Sequence, residues 1–345
     1  MVNNIKIAIM GFGNVGRSLA KLIAFKGEDI ERKYNIKLNV VAIADSRGAV
    51  VREEGLTPYE LLKLCELPRS YIFTYEPYGI PGAKVKEIYS RVAPDIHIEV
   101  TPSNYESGEP GLSNILYAIN SGVNVVIANK APLVLKYSHI MQYAKQRGIQ
   151  IRFKATVMAG TPLIDLLKSL KGYNIEVIEG IINGTTNYIL TEMHEDLIPY
   201  SDALKKAQAL GIAEPNPDLD VKGWDAAAKL VIISNVINEP ISLNDVERDD
   251  LSKLDLREVF KAIKENMLLK FIAKYDVKEK RALVKITKIP RDDILSNVKG
   301  TMNAVKIKTD INNIVLIGKG AGRMETAHAL MDDILSIAEV ISHGP

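Results

Sequence analysis

The first 26 residues contain the pattern that most restricts the fold: a short apolar strand, a glycine-rich turn and a helix. Residues 5–10 (IKIAIM) predict the strand, and RSLAKLIAFK has the apolar spacing of a helix. In the turn, the first glycine permits a tight bend, the second lets backbone approach a pyrophosphate, and the third allows close helix–strand packing. N–H groups at the helix start then bind phosphate oxygens. We therefore expect a dinucleotide-binding turn made of Gly11, Phe12, Gly13, Asn14, Val15 and Gly16.

The next predicted strand, residues 38–44, ends beside two residues that bear on the choice of cofactor. An acidic residue at this place, here Asp45, typically binds the ribose hydroxyls of NAD. Arg47 follows two residues later and is suited to the 2′-phosphate of NADP. A solvated loop charge is the alternative interpretation of Arg47. The cofactor is therefore NADP or NAD, with a slight preference for NADP.

Strands and helices alternate up to about residue 155, which predicts a doubly wound parallel sheet of the Rossmann type. One predicted strand ends at Thr101 and another at Lys130, before a helix expected over residues 138–147. Ligands bind at the carboxyl ends of such strands, so both residues are candidate cofactor contacts. An ordinary surface lysine is the alternative for Lys130. We expect a dinucleotide-binding domain over residues 1–150.

Beyond residue 155 the pattern changes to that of a second, α+β domain. Apolar and polar residues alternate in three runs, 268–275, 282–289 and 304–309. This alternation predicts half-buried strands of a mostly antiparallel sheet. A glycine-rich turn around Gly320 then offers N–H groups to an anion or a nicotinamide ribose, or forms a close-packed crossover. We expect this substrate-binding and dimerisation domain to span 151–322, and the helix over 323–345 to return to the first domain.

The segment from Gly211 to Lys229 gathers charged residues next to residues with a buried pattern. Two prolines exclude a helix from its first half, whereas DAAAKLVIISNV predicts a helix in the second. On that helix Asp225 and Lys229 are four residues apart and share one face. A surface ion pair of little energetic value is the alternative. The apolar helix around the pair favours a functional site.

The composition narrows the class of protein. A net charge of +2 gives no strong field for nucleic acid or an anionic membrane. No run is long enough for a membrane span, and the N-terminus lacks a signal-peptide pattern. The single cysteine, Cys65, cannot form an internal disulfide, which indicates a reduced, cytoplasmic protein. One cysteine and five scattered histidines offer no zinc-ligand cluster.

Motifs along nearly the whole chain resemble those of the homoserine dehydrogenase family. The family signature is matched at Ala207, Gly211, Asn216, Pro217, Asp220, Gly223, Asp225 and Lys229. Supporting matches are GFGNVG at the start, EVTPSNY at 99–105, NKAP at 129–132, NGTTNYIL at 183–190 and GKGAGRMETA at 318–327. The chain is similar to the short, monofunctional form, which has no ACT regulatory domain and no fused aspartate kinase.

The resemblance implies NAD(P)-dependent interconversion of L-homoserine and L-aspartate 4-semialdehyde, in threonine, methionine and isoleucine biosynthesis. It implies that Lys229 is the proton donor, that Asp225 lies near the substrate hydroxyl, and that Lys130 ends the strand on the nicotinamide side. It also implies substrate-binding positions at Glu214, Asp220, Gly184 and Thr185.

The chemistry of an aldehyde reduction is compatible with these roles. Hydride addition builds negative charge on oxygen, which a positioned acid must stabilise or protonate. Without a zinc cluster or a Ser-His-Tyr set, Lys229 and Lys130 are the best-placed groups. Asp225 orients Lys229 and holds it charged. An amino-acid substrate also needs a carboxylate for its ammonium, which Glu214 or Asp220 supplies.

Two positions depart from the family pattern. Some members bind a monovalent cation with a glutamate and nearby carbonyls, but Lys154 stands at the position of that glutamate. Its ammonium opposes a cation by like charge, so no metal is expected. Ile212 stands where some members have a tyrosine, which removes a hydroxyl contact and leaves a backbone contact possible.

Two other functions are compatible with the sequence. The chain is alternatively another Rossmann dehydrogenase of amino or hydroxy acids, or a non-catalytic NAD(P)-binding regulator. The retained lysines and carboxylates argue against the regulator. The half-exposed face of the antiparallel sheet must be buried by a partner, which predicts a homodimer. We also expect a small-molecule substrate and no nucleic-acid or membrane partner.

Overall fold

The computed structural model describes residues 2–343 and divides them between two units, each built on its own sheet. The first unit extends to Thr156 and resumes at Arg323, and the second is Val157–Gly322. The expected fold class, a doubly wound domain with an α+β domain, is confirmed. Within residues 2–343, no helix has both the length and the apolar composition that a membrane crossing requires.

The sheet of the first unit is mainly parallel. Its strands are β1 (Asn3–Met10), β2 (Ile36–Asp45), β3 (Gly48–Val51), β4 (Gly79–Pro81), β5 (Ile96–Glu99), β6 (Asn124–Ile127) and β7 (Ile151–Arg152). They lie in the order β4-β3-β2-β1-β5-β6-β7, with β3 and β4 antiparallel to their neighbours. The chain passes from β1 to β2 on one side and later to β5 on the other. The topological switch point, where such sheets bind ligands, therefore lies between the ends of β1 and β5.

Helices cover this sheet, and the last helix of the chain belongs to the same unit. They are α1 (Asn14–Tyr34), α2 (Pro58–Glu66), α3 (Val85–Arg91), α4 (Gly111–Asn120), α5 (Lys130–Gln146) and the C-terminal helix (Arg323–His343). The C-terminal helix buries Leu330 and Ile334, and its His328 Nε2 lies 3.3 Å from Nζ of Lys26 on α1. Residues 344 and 345 of the predicted returning helix lie outside the described part.

Helix α5 begins earlier than the sequence pattern indicates, at Lys130 instead of residue 138. The Asn129 side chain caps the helix by accepting the N–H of Ala131 at 3.1 Å. Pro132 is tolerated because the first turn needs no intrahelical N–H bond. Lys136 has non-helical angles (φ −141°, ψ 31°), and this break divides the helix near the predicted start.

The second sheet is mostly antiparallel. Its strands are β8 (Ile175–Ile181), β9 (Val246–Arg248), β10 (Met267–Asp276), β11 (Arg281–Pro290), β12 (Met302–Thr309) and β13 (Asn313–Lys319). Their order is β13-β12-β8-β10-β11-β9, and only the short β9 pairs in parallel, with β11. The three runs with alternating residues therefore form β10, β11 and β12, as their pattern predicts.

The helices of this unit include one that is buried on every side. They are α6 (Leu163–Ser169), α7 (Gly184–Glu195), α8 (Tyr200–Ala209), α9 (Asp218–Val221), α10 (Trp224–Val236) and α11 (Leu256–Lys264). Residues 226–234 of α10 are all buried, as expected for a helix that is apolar around its circumference. It starts after Gly223, whose φ of 74° is left-handed and whose Cβ would lie 3.1 Å from Val284. This packing places the charged end of the 211–229 segment inside the core.

Candidate active site

A lysine in the buried part of α10 has both an ionic and a neutral partner. Lys229 is 6% exposed, and its Nζ lies 2.7 Å from Oδ2 of Asp225, one turn earlier. The same Nζ donates to the carbonyl of Ile182, at the end of β8, at 2.6 Å. The side chains of the pair are 7% and 18% exposed, so this is no solvated surface pair. Its low-dielectric surroundings strengthen the interaction and hold the ammonium in one place.

Asn183 connects the strand β8, the helix α7 and the two carboxylates. Its Oδ1 accepts the N–H of Thr186 and so caps α7 at 2.9 Å. Its Nδ2 donates to Oδ1 of Asp220 at 2.7 Å and to Oδ2 of Asp225 at 2.9 Å. Asn183 was not among the predicted site residues, although it begins the motif NGTTNYIL directly before the predicted substrate position Gly184.

The carboxyl group of Asp220 is held close to a second negative charge. Burial, followed by the neighbouring Asp225 carboxylate, raises the pKa of Asp220, whereas hydrogen bonds from Asn183 and Thr185 oppose this effect. Two carboxylates that share one amide donor place concentrated negative charge next to the Lys229 ammonium. Such a cluster is suited to binding a substrate cation and to controlling a proton.

The other predicted substrate positions have different surroundings. Thr185 donates its hydroxyl hydrogen to the carbonyl of Ile212 at 3.2 Å. Gly184 lies close to the 299–301 loop, because a Cβ there would be 3.0 Å from the carbonyl oxygen of Thr301. Glu214 is exposed, and no described residue makes a hydrogen bond or ion pair with its carboxylate. The protein contacts therefore join Asp220, Asp225 and Lys229, and leave Glu214 apart.

In the first unit, the glycine-rich turn has the shape that a dinucleotide requires. Gly11 has φ of 108°, and a Cβ there would lie 2.6 Å from the Val100 carbonyl carbon. A Cβ at Gly16 would lie 2.2 Å from the carbonyl oxygen of Gly11, so only glycine permits this packing. No atom lies within 4 Å of a Cβ built on Gly13, which caps α1 without a side-chain hydrogen bond. The open backbone at the helix N-terminus fits a pyrophosphate.

Asp45 and Arg47, which follow β2, have charged groups with different partners. Asp45 accepts the N–H of Arg47 at 2.9 Å and that of Ile72 at 3.4 Å, so its carboxylate is occupied by the turn. The guanidinium of Arg47 lies over the rings of Tyr71 and Phe73, 4.8 and 5.4 Å from their centroids. Stacking leaves the edge of a guanidinium free to bind a phosphate bidentately.

A hydrogen-bonded chain links the ends of β5 and β6. The buried Glu99 accepts from the backbone N–H of Thr101 at 2.9 Å and also from its hydroxyl. Asn129 Nδ2 donates to Thr101 Oγ1 at 3.1 Å, and its Oδ1 accepts from Ser103, whose hydroxyl accepts the N–H of Lys130 at 3.2 Å. Burial opposes ionisation of Glu99, but hydrogen bonds from His97 and Thr101 leave its pKa lowered. This chain fixes Thr101 and Lys130 at the carboxyl edge of the sheet, and sequence reasoning missed Glu99 and Asn129.

Two further predicted positions also have defined surroundings. Gly320 packs against Asn303, since a Cβ there would lie 2.2 Å from the Asn303 side chain. The Nζ of Lys154 lies 3.5 Å from Asp332 of the C-terminal helix, and its backbone N–H donates to Asp333 at 2.8 Å. Among residues 2–343, no group of three or more His, Cys, Asp or Glu side chains has the arrangement of a metal site.

Comparison with known proteins identifies the family. The model for "Homoserine dehydrogenase, NAD binding domain" matches residues 11–154, and that for "Homoserine dehydrogenase" matches residues 162–335. The homoserine dehydrogenase of Methanocaldococcus jannaschii is 38% identical over 96% of this chain and 98% of its own length. An NAD(+)-dependent homoserine dehydrogenase of Pseudomonas canavaninivorans is 34% identical, with 96% of each chain covered. A hyperthermophilic archaeal homoserine dehydrogenase mutant in complex with NADPH superimposes with a TM-score of 0.81, at 31% identity and 97% coverage of both chains. The chain therefore belongs to the homoserine dehydrogenase family.

Proposed function

We propose that this chain catalyses the NAD(P)-dependent interconversion of L-homoserine and L-aspartate 4-semialdehyde, a step in threonine, methionine and isoleucine biosynthesis. The observation that carries the proposal is the buried Lys229–Asp225 pair beside Asp220, in a chain of this family. We assign the enzyme to the cytoplasm, in agreement with its single cysteine.

Lys229 is the proposed proton donor and acceptor, and its partners orient it. The bound nicotinamide supplies or accepts the hydride. In the reductive direction, Lys229 donates a proton to the oxygen on which negative charge develops, and in the oxidative direction it receives the hydroxyl proton. Asp225 keeps the ammonium oriented towards that oxygen, and the carbonyl of Ile182 fixes its second N–H. The lysine is therefore positioned before the substrate binds.

The carboxylates hold the substrate by its ammonium group. Asp220 is half-buried and next to Asp225, which raises the pKa of Asp220, so a substrate ammonium offsets the repulsion between the two carboxyl groups. Glu214 is exposed in the same segment and adds a second carboxylate when the substrate is bound. Gly184 and Thr185 form the adjoining wall of the pocket. Lys130, at the start of α5 in the first unit, is the proposed contact for the nicotinamide.

NADP is the preferred cofactor in this proposal. The turn Gly11–Gly16 holds the pyrophosphate, and Thr101 is the proposed contact for the nicotinamide half. Gly320 stays a predicted cofactor contact. Asp45 is engaged by two backbone N–H groups, whereas the stacked Arg47 presents a guanidinium edge suited to a 2′-phosphate. A free carboxylate would favour the ribose diol of NAD instead.

A homodimer is part of the same proposal. The edge strand β13 exposes Val315 and Ile317 at 37% and 47%, on alternate positions of one face. A second copy of the chain covers this face in the proposed assembly. Light scattering coupled to size exclusion measures the mass, and a monomer of 38.1 kDa at micromolar concentration would contradict the dimer.

Substitution of the candidate proton donor tests the function. Lys229→Ala should reduce turnover of aspartate semialdehyde by about 10²-fold or more, because general acid catalysis contributes roughly that factor. The affinity for NADPH, which the first unit binds, should change by no more than about twofold. Near-normal turnover would count decisively against Lys229 as the proton donor.

A second lysine provides a matched control. Lys222 also pairs with an aspartate at i−4, Asp218, at 2.7 Å, but the side chains of that pair are 45% and 53% exposed. Lys222→Ala removes the same charge and the same kind of pair from an exposed place, so its turnover should stay within about twofold of wild type. A panel of related amino-acid and hydroxy-acid carbonyl compounds distinguishes homoserine dehydrogenase from another dehydrogenase.

A further inference from the structure

The second unit contains a cavity of about 100 Å³ that lies apart from the candidate active site. It is bounded by the C-terminal half of α7, the start of β10 and the segment 291–299. Its lining includes His194, Glu195, Lys270, Arg291, Ser296 and Lys299. Because one water needs roughly 10–15 Å³ of such volume, the cavity has room for a polyatomic ion.

Lys270 is the most deeply buried charged residue of this lining, at 4% exposure. Its Nζ donates to the carbonyl of Val298 at 2.5 Å and to Oδ1 of Asn187 at 3.2 Å. Both acceptors are neutral, and no carboxylate among residues 2–343 lies within ion-pairing distance of this ammonium. An ammonium has three donors, so one N–H remains for a ligand. A buried charge without a counterion is unfavourable unless a ligand supplies one.

His194 adds a neutral donor to the same lining. Its Nε2 accepts the backbone N–H of Leu269 at 2.9 Å, so the ring hydrogen lies on Nδ1. Nδ1 is buried and has no hydrogen-bond partner among the described residues. Burial, with the charges of Lys270 and Arg291, lowers the pKa of His194 to about 4, and the ring is therefore neutral at pH 7. Nδ1 thus keeps an N–H that needs an acceptor.

The charges around the cavity do not balance. Lys270, Arg291 and Lys299 contribute three positive charges, and Glu195 contributes the single negative one. Glu195 is already paired with Lys299 at 2.7 Å, and both side chains are about half exposed. The guanidinium of Arg291 has no hydrogen bond or ion pair with any residue in the described part of the chain. Two positive charges therefore remain without a protein counterion.

The geometry points to a binding site for a compact oxyanion with two negative charges, of which inorganic phosphate is the representative. Lys270 and His194 bind it from the inner wall with one N–H each, and Arg291 binds it from the outer side with its guanidinium. Charge-assisted bonds of this kind are the strong ones, and a dianion neutralises the excess of positive charge. Sulfate shares this chemistry, whereas acetate carries only half the charge.

This site is distinct from the candidate catalytic cluster. Asn183, which donates to Asp220 and Asp225, lies at the N-terminal end of α7, and His194 lies in its last turn. Eleven residues of helix separate them, which corresponds to roughly 16 Å. An anion at His194 therefore does not occupy the proposed substrate position.

Histidine signals test the site locally. The chain has five histidines, so protein labelled with ¹⁵N-histidine gives few ring signals, and His194→Gln identifies the signal of interest. Inorganic phosphate, added at constant ionic strength and pH 7, should shift the His194 signal saturably, and sulfate should do the same. Acetate and chloride should not. Lys270→Met and Arg291→Gln should each weaken the Kd for phosphate by about tenfold or more, the loss of one charge-assisted bond.

A lysine on the same strand provides the control. Lys274→Met removes one positive charge from β10 at a position that is 38% exposed and faces Glu179, so its Kd should remain within about twofold of wild type. Absence of a phosphate-induced shift would overturn the proposal. So would equal shifts with acetate, or equal affinity in the Lys270 and Arg291 variants. If Lys270→Met does not fold, Arg291→Gln, an exposed position, still decides the outcome.

Discussion

Between pH 8 and 10.5, Lys270 should make a pH-dependent contribution to the stability of the second unit. The proposed perturbation is Lys270→Met, which keeps an apolar side chain of similar length and removes the ammonium. Burial, and to a smaller extent the charge of Lys299, lowers the pKa of Lys270 to about 8. In the unfolded chain the same group should have the ordinary lysine value near 10.5.

The direction in which the free energy of unfolding changes with pH follows from the number of protons that each state binds. Below pH 8 the lysine is charged in both states, and the folded state carries the unfavourable burial of the charge. Between pH 8 and 10.5 the unfolded state binds more protons, so the free energy of unfolding rises with pH in this window. At roughly 1.4 kcal/mol for each pH unit, the interval corresponds to about 3 kcal/mol. The wild type should gain this amount relative to Lys270→Met between these two pH values.

The single tryptophan makes the assay specific. Trp224 begins α10 in the second unit, and the guanidinium of Arg248 stacks 3.7 Å from its ring centroid. Its fluorescence during urea unfolding therefore reports the second unit. Free energies are measured for wild type and variant from pH 7.5 to 10.5 in phosphate-free buffers. Other titrating groups cancel in the difference between the two proteins, and Lys274→Met, at a more exposed position of the same strand, serves as the matched control.

A constant difference between wild type and Lys270→Met across this pH range would refute the reasoning. The difference in unfolding free energy at pH 7 alone does not test the reasoning, because methionine also leaves the Val298 carbonyl and Asn187 without their hydrogen-bond donor. Phosphate offers an internal check. A bound dianion favours the charged lysine, so saturating phosphate should reduce the slope with pH in wild type and leave the variant unchanged.

Two further predictions concern the proposed active site. Asp220→Asn should stabilise the protein at pH 7, because burial and Asp225 raise the pKa of Asp220 and make its ionised form unfavourable in the folded state. This gain, measured by urea unfolding, should shrink as the pH falls and the wild-type carboxyl becomes protonated, while turnover at pH 7 falls by about tenfold or more. Unchanged turnover would remove Asp220 from the substrate site. Arg47→Gln should raise KM for NADPH by about tenfold and leave KM for NADH unchanged, since it removes one charge-assisted phosphate contact. An equal effect on both cofactors would contradict the proposed role of Arg47.

Much of the fold follows from local patterns in the sequence. The turn Gly11–Gly16 is predictable because its chemistry and the strand before it are adjacent in the chain. The strands β10, β11 and β12 are predictable because each has one face towards the core, which imposes alternation. The start of α5 at Lys130 was not predicted, because Pro132 usually marks a helix boundary. Here Pro132 lies in the first turn, where it is tolerated, and the Asn129 side chain caps the helix.

The site is less predictable, since its geometry depends on contacts between distant positions. Asn183 reaches Asp220 and Asp225 from 37 and 42 residues away, and Lys229 reaches the Ile182 carbonyl across 47. A short polar residue after a strand is equally compatible with a simple helix cap. Asn183 performs both roles with different atoms, and only the packed structure shows this.

The two buried lysines of the second unit have similar sequence surroundings but different partners, so we expect their substitution to have different effects. Lys229 and Lys270 both occur in apolar runs, AAAKLVII and LLKFIA, and both are about 95% buried. Lys229 has an aspartate one turn away on its own helix, so its charge is compensated within the protein. Lys270 lies on a strand whose neighbouring atoms are neutral oxygens, so its charge is compensated only by a ligand or by loss of the proton. Substitution of Lys229 should therefore affect turnover, whereas substitution of Lys270 should affect anion affinity and the pH dependence of stability.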